Sequence, residues 1–271
     1  MSRPSDEPLV GALAAEALSR GEVHVWYTID DPKAGGVPID EPLLERYRGL
    51  LDDEELARHD RYRVERARRQ FLIGRALVRS TLSRYATIGP RYWRFITNQY
   101  GRPAIKPGTI DVPLCFNLSH TEGLAACAVA WGREVGIDVE FCGRATGGIH
   151  LAQRFFSVAE VADLLALPAE RQRDAFFDYW TLKEAYIKAR GMGLAIPLGH
   201  FSFDLSPSDA VRISFDPRLS DVPENWQFFQ FSPTANHRMA LAVHCGGRGD
   251  TIVRQFAIVP LAQNSHTHDR A

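Results

Sequence analysis

A helix that is apolar around most of its circumference has to be enclosed by other elements, and this chain contains one. Phe176-Phe177-Asp178-Tyr179-Trp180-Thr181-Leu182-Lys183-Glu184-Ala185-Tyr186-Ile187-Lys188 reads as the body of a helix over about 171–190 that ends near Gly191-Met192-Gly193. At helical spacing Trp180, Glu184 and Lys188 share one face, so a carboxylate and an ammonium sit beside a large aromatic where hydrocarbon is the norm. One reading is a surface Glu-to-Lys pair, worth about 0.2–0.5 kcal/mol. The other is a carboxylate that offers a hard oxygen to a metal and a lysine that meets the anion the metal also holds. The choice turns on whether the rest of the chain supplies more oxygens and more cations.

The chain has 271 residues, 45% of them hydrophobic and 24% charged, enough to bury the core of one large domain or two small ones. A formal net charge of −1 gives no bulk attraction to nucleic acid or to a membrane, so neither is expected as a partner and any anion site must be local. Cys115, Cys127, Cys142 and Cys245 form no CxxC pair and read as reduced small hydrophobes. The first 21 residues carry acids and no sustained apolar run, unlike a signal peptide or a membrane span, and a cytoplasmic protein is expected.

In chain order the pattern predicts a strand over 23–29, a Pro/Gly loop over 30–42, and a short helix over 43–51 with Asp52 or Asp53 capping the next helix. A long helix is expected over 60–85, where Phe71, Leu72, Ala76, Leu77, Leu82 and Tyr85 recur at helical spacing. Its other face, with the residues just before it, is thick with arginine: Arg58, Arg61, Arg63, Arg66, Arg68, Arg69, Arg75, Arg79 and Arg84. Any one of them is explained by a solvated helix face; together they are the best local phosphate-binding candidate.

Extended segments at 92–96 and 100–105 lead to a meander of three strands, 114–119, 124–131 and 134–141. After a linker at 143–148 come a helical run over 151–167 with a capping box at Ser157-Val158-Ala159-Glu160, the apolar helix, and strands at 200–205, 210–215, 226–231, 238–244 and 251–259. Each half thus reads as helices, one of them long, followed by antiparallel strands. The expectation is an α+β fold of two similar lobes, 22–142 and 149–260, with an N-terminal extension over 1–21, a disordered tail over 263–271, and a ligand site between the lobes.

Val135-Gly136-Ile137-Asp138-Val139-Glu140 alternates strictly, so Asp138 and Glu140 point to the same side of a strand. That is either the polar face of an antiparallel strand or the start of a Mg²⁺ site that Glu184 would complete. Phe116-Asn117-Leu118-Ser119-His120 ends the strand before it, where Ser119 and His120 could donate hydrogen bonds to a phosphate; taken singly, His120 reads as a turn histidine.

In that order, Phe116-Asn117-Leu118-Ser119-His120, Gly136-Ile137-Asp138-Val139-Glu140 and Trp180-Thr181-Leu182-Lys183-Glu184-Ala185-Tyr186-Ile187-Lys188 resemble the three signature motifs of the Sfp-type 4′-phosphopantetheinyl transferases, and Tyr100-Gly101-Arg102-Pro103 is similar to a fourth. The resemblance covers about 26–259. It implies a pseudo-dimeric fold in one chain, each lobe a long helix packed on an antiparallel sheet, working as a monomer. It implies a holo-[acyl-carrier-protein] synthase that uses Mg²⁺ and moves the phosphopantetheine arm of coenzyme A to a serine of apo acyl or peptidyl carrier proteins, releasing adenosine 3′,5′-bisphosphate. Carried over by motif, Asp138, Glu140 and Glu184 would hold the Mg²⁺. Lys188 would meet the diphosphate, Ser119 and His120 the nucleotide phosphates, and Arg102, Arg69 and Arg61 further phosphate oxygens. Glu184 or a water on the metal would take the serine proton.

The same residues support two rival readings. One is a Mg²⁺-dependent hydrolase of nucleotide diphosphates, in which water takes the place of the serine. The other is a binding module that uses the arginines to hold an acidic protein or nucleic acid.

Overall fold

The computed structural model describes residues 15, 16, 18, 21–143, 148–205, 211–247 and 249–262. Most of the expected N-terminal extension, the middle of the linker and the tail from 263 lie outside the described residues.

Strand β1 (Val23–Ile29) is followed by helices α1 (Glu41–Arg48), α2 (Asp53–Asp60) and α3 (Glu65–Leu82). A hairpin of β2 (Phe95–Thr97) and β3 (Pro103–Ile105) leads into β4 (Leu114–Thr121), β5 (Leu124–Trp131) and β6 (Val135–Phe141). The second half has α4 (Ile149–Phe155), α5 (Val158–Ala166) and α6 (Ala169–Arg190), then β7 (Phe201–Asp204), β8 (Arg212–Phe215), β9 (Trp226–Phe231), β10 (His237–His244) and β11 (Val253–Ala257).

Two sheets, ordered β11-β1-β5-β4 and β6-β10-β9, lie face to face in the middle of the molecule. Strand periodicity explains the layering. Val23 and Val25 of β1, Ala126 and Ala128 of β5, Ile137 and Val139 of β6, and Leu241 and Val243 of β10 form the core between the sheets. The opposite faces carry Trp26, Cys127 and Val129 against Leu72, Ala76 and Leu77 of α3, and Ala240 and Ala242 against Leu182 and Ala185 of α6. The result is helix, sheet, sheet, helix, an α+β arrangement in which each long helix covers its own sheet, as expected.

The expected three-strand meander is corrected. β4 and β5 form a hairpin, but β6 pairs antiparallel with β10, Asp138 opposite Ala240 and Glu140 opposite Arg238. The last strand returns to the first: β11 pairs parallel with β1, Val25 opposite Gln255. Chain order therefore does not divide the sheets at 142 and 149. The expected helix over 60–85 is shorter at both ends, Glu65–Leu82, and a turn at 61–64 separates it from the short helix that Asp52 caps. Asp52 caps α2 in a reciprocal box with Glu55, and Ser157 caps α5 in another with Glu160.

Gly136 sets how closely β6 and α6 meet. A Cβ there would lie 2.0 Å from the Ala185 carbonyl oxygen and 2.3 Å from the Ala189 nitrogen, both backbone atoms that cannot swing aside. Strand and helix touch main chain to main chain, which brings the next side chain on this face, Asp138, up to the helix.

Lys183, next to Glu184 in sequence but inside the lobe, is fully buried. Its Nζ reaches Glu160 Oε2 at 2.7 Å and donates to the carbonyl oxygens of Leu198 and Phe201, each at 2.8 Å, which uses all three donors. Glu160 in turn accepts from the Ser157 backbone and hydroxyl and from Phe203 N. The pair ties α6 to the start of α5 and to β7, although burial pulls the Lys183 ammonium down to about 8.

Gly136→Ala is expected to lose at least about 1–3 kcal/mol in denaturant unfolding, because the helix must move off the strand. Lys183→Met is expected to cost about 3–5 kcal/mol in the same measurement, since Glu160 stays buried without its cation. Adding Glu160→Gln to Lys183→Met should recover part of that loss, whereas independent roles would give simple addition.

Candidate active site

The edge of one sheet, β4, runs along the edge of the other, β6, and among the described residues these two strands share no backbone ladder. Side chains join them instead. Asn117, Ser119 and Thr121 alternate along β4 and point the same way. Asn117 Oδ1 accepts from Ile137 N at 2.9 Å, Ser119 Oγ from Val139 N at 3.2 Å, and Thr121 Oγ1 from Phe141 N at 3.2 Å. The Asn-Leu-Ser-His-Thr stretch is therefore a seam between the lobes, with His120 on its other face.

Asp138 lies at this seam, 3% exposed. Its Oδ1 accepts from Lys188 Nζ at 2.5 Å and from Ser119 Oγ at 3.1 Å, and Lys188 Nζ also donates to Ser119 Oγ at 2.9 Å. Its Oδ2 is buried with no partner. Glu184, one turn before Lys188, is half-buried; burial and then the Asp138 charge push its carboxyl above the ordinary carboxylate range, while Lys188 opposes the rise. Glu140 stands on the same side of β6 as Asp138, opposite Arg238, whose guanidinium reaches Asp174 at 3.1 Å and Asp178 at 3.3 Å on α6.

Among the described residues no three acidic, histidine or cysteine side chains stand together as metal ligands. Lys188 supplies the positive charge at Asp138. Yet a hard divalent cation fits the chemistry of the spot: a buried carboxylate oxygen lacks any partner, and a second carboxylate beside it is short of positive charge.

Lys188, Ser119 and His120 face a cleft of 610 Å³. Arg58, Arg61 and Tyr62 from the end of α2, Phe71 from α3, Phe95 and Ile96 from β2, and Pro103 from β3 line the rest. His120 opens into it, and crowding by neighbouring atoms, then the Lys188 ammonium, hold its pKa down. Asp52, Glu54 and Glu55 also border the cleft. Of these, Glu55 binds Arg75 and Arg79, and Asp52 lies 3.3 Å from Arg79.

The arginine stretch is not one phosphate-binding face. Arg69 chelates Asp30 with two 2.6 Å hydrogen bonds and donates to the Ile39 carbonyl. Arg66 pairs with Glu122 at 2.7 Å, and Arg84 lies over the Trp26 ring, 4.6 Å from its centre. Arg102 donates to the carbonyl oxygens of Ala189 at 2.6 Å and Val135 at 3.2 Å, a cation at the C-terminal end of α6. Gly191 there has φ 64°, and a Cβ on it would meet Arg102 Cδ at 2.7 Å. So of Arg61, Arg69 and Arg102, the structure places Arg61 on the cleft and engages the other two in holding the fold. Arg58 joins Arg61 on the cleft; the capping box at Asp52, which starts a separate short helix, is the sequence signal that puts Arg58 on its last turn.

The family model described as the 4′-phosphopantetheinyl transferase superfamily matches residues 134–243, which include the Gly-Ile-Asp-Val-Glu strand and the whole of α6. The chain is 34% identical over 228 residues to the 4′-phosphopantetheinyl transferase HetI of Nostoc sp. (strain PCC 7120), covering 83% of this chain and 89% of that one. It is 34% identical over 186 residues to the 4′-phosphopantetheinyl transferase Sfp of Bacillus subtilis (strain 168), covering 67% and 80%. The crystal structure of Thermotoga maritima holo-[acyl-carrier-protein] synthase matches 41% of this chain and 61% of its own at 23% identity and a TM-score of 0.34, too slight a likeness to add to the assignment. The sequence relationship, over nearly the full length of HetI, shows that this chain belongs to the 4′-phosphopantetheinyl transferase superfamily.

Proposed function

We propose that the cleft holds coenzyme A and that the chain moves its phosphopantetheine arm onto the hydroxyl of a serine in apo acyl or peptidyl carrier proteins, as a holo-[acyl-carrier-protein] synthase does. The serine oxygen forms a bond to the phosphorus that bears the pantetheine arm, the bond from that phosphorus to the bridging oxygen of the diphosphate breaks, and adenosine 3′,5′-bisphosphate leaves. The observation that carries this reading is the meeting of Lys188 and His120, which face the cleft, with Asp138 and Glu184 directly behind Lys188.

Phosphoryl-type transfer asks a protein to position the nucleophile and to neutralise charge that develops on oxygen. Lys188 and His120 lie where they can meet the diphosphate, and Arg58 and Arg61 where they can meet the nucleotide's remaining phosphate. Asp138 and Glu184, with Glu140 two residues along β6, are the residues that would hold Mg²⁺, which supplies positive charge to the diphosphate when bound. Glu184 is the carboxylate of this chain that would receive the serine proton.

No observation favours the hydrolase of nucleotide diphosphates. The binding-module reading loses support because Arg66, Arg69, Arg75 and Arg79 are all paired with carboxylates of this chain. Among the described residues no helix is long and apolar enough to cross a membrane. The reading has the protein act as a monomer in the cytoplasm, with both lobes of the site on one chain.

Purified protein with Mg²⁺ and coenzyme A should add the phosphopantetheine mass to apo carrier domains by mass spectrometry, and Glu184→Ala should remove most of that activity without unfolding the chain. A panel of apo domains left unmodified, alongside a working relative as control, would refute the reading. The arginines should divide by role: Arg58→Ala and Arg61→Ala should raise KM for coenzyme A roughly tenfold each with Tm unchanged. Arg69→Ala and Arg102→Ala should lower stability by about 1–3 kcal/mol in denaturant unfolding.

A further inference from the structure

The hydroxyl of Ser119 has no capacity left for a ligand. A serine hydroxyl has one donor and two acceptor sites. The donor goes to Asp138 Oδ1 at 3.1 Å, and the two acceptors take Val139 N at 3.2 Å and Lys188 Nζ at 2.9 Å. The residue is 6% exposed.

Its neighbours on β4 show what such a residue does at this seam. Asn117 and Thr121, two residues to either side, accept from β6 backbone N–H groups at Ile137 and Phe141 in the same manner, and Ser119 is the middle rung of the three. This rung also touches the site, through Asp138 and Lys188. By binding Oδ1 of Asp138 together with Lys188, it fixes the carboxylate rotation so that Oδ2, buried and without a partner, is the oxygen left for a cation.

We propose that Ser119 is a positioning residue that selects which oxygen of Asp138 is offered to the metal and holds Lys188 beside it, and that it is not a ligand of the coenzyme A phosphates. This rests on the transferase reading for the identity of the ligands, but the orientation of Asp138 can be measured without turnover.

The test compares wild type, Ser119→Ala and Ser119→Thr. Threonine keeps the hydroxyl and already serves in the same seam at Thr121, so it guards against a variant that merely fails to fold. Mg²⁺ binding is measured by calorimetry and by the Mg²⁺-dependent rise in Tm, with neither coenzyme A nor carrier present. Transfer is then measured with coenzyme A and with 3′-dephospho-coenzyme A. The expected result is that Ser119→Ala weakens Mg²⁺ binding about 10–100-fold, the usual effect of removing a group that orients a metal-binding side chain. It should also lower kcat at fixed Mg²⁺, leave the preference for coenzyme A over its dephospho form intact, and be largely rescued by Ser119→Thr. Unchanged Mg²⁺ binding in Ser119→Ala, a wild-type chain that takes up no Mg²⁺, or a selective loss of the preference for the 3′-phosphate would overturn the proposal. A chain that binds Mg²⁺ in a Ser119-dependent way yet modifies no carrier would refute the transferase reading and leave the positioning role standing.

Discussion

The close approach of β6 to α6 at Gly136 is the contact on which the site depends. Strand and helix meet there through their backbones, with the missing side chain filled by Ala185 and Ala189. Because side chains on a strand repeat every second residue, this contact fixes Asp138 one pleat further along, within 2.5 Å of Lys188. Glu184 and Lys188 then lie one helical turn apart over the same strand. The charged pair on an otherwise enclosed helix is thus not a surface salt bridge: Lys188 bonds to the strand's aspartate, and Glu184 feels that aspartate as a repelling neighbour.

Around that contact the fold supplies rigidity from two directions. Lys183 and Glu160 anchor the far side of α6 inside its lobe, where the ammonium also lies 4.3 Å from the centre of the Phe201 ring. A buried ion pair of this kind is weak as a source of stability but has strict geometry, because any displacement leaves a charge without its partner. At the other end Arg102 and Asn98, which donate to the carbonyl oxygens of Ala189 and Gly191, tie the small β2–β3 hairpin to the end of the helix. The helix is held at its middle and at its end, and Lys188, which faces the cleft, lies between.

Much of this is legible in the sequence, for a reason that also marks the limit. Strand-forming runs, turn residues and capping chemistry are written in neighbouring residues, so β1, β5 and β9 lie where they are expected, α6 begins within two residues of its expected start, and Asp52 and Ser157 cap as expected. The motif residues Ser119, His120, Asp138, Glu184 and Lys188 do converge. Partnership across long separations is not written in this way. Alternation in β6 tells which face is apolar and not which strand lies alongside, so nothing local names β10 as its neighbour. The arginines look alike because their partners, Asp30, Glu55 and Glu122, are scattered along the chain. The long helix begins five residues later than expected: 61–64 carries neither Gly nor Pro to mark a break, and Arg68, which donates to the Tyr62 carbonyl, stabilises the turn there.

The return of β11 to β1 has a consequence for how the molecule can come into being. The last regular strand completes the first sheet, and β6, from the first half of the sequence, completes the second. Each half is finished by a piece of the other, like two hands clasped with one finger exchanged. During synthesis the first lobe emerges with an open sheet edge at β1, and it stays open until β11 has been made. Neither half cut out at the apparent linker would carry its complete sheet, so the two lobes are alike in architecture but are not separable domains, and their joint completion is what sets the seam and the site within it.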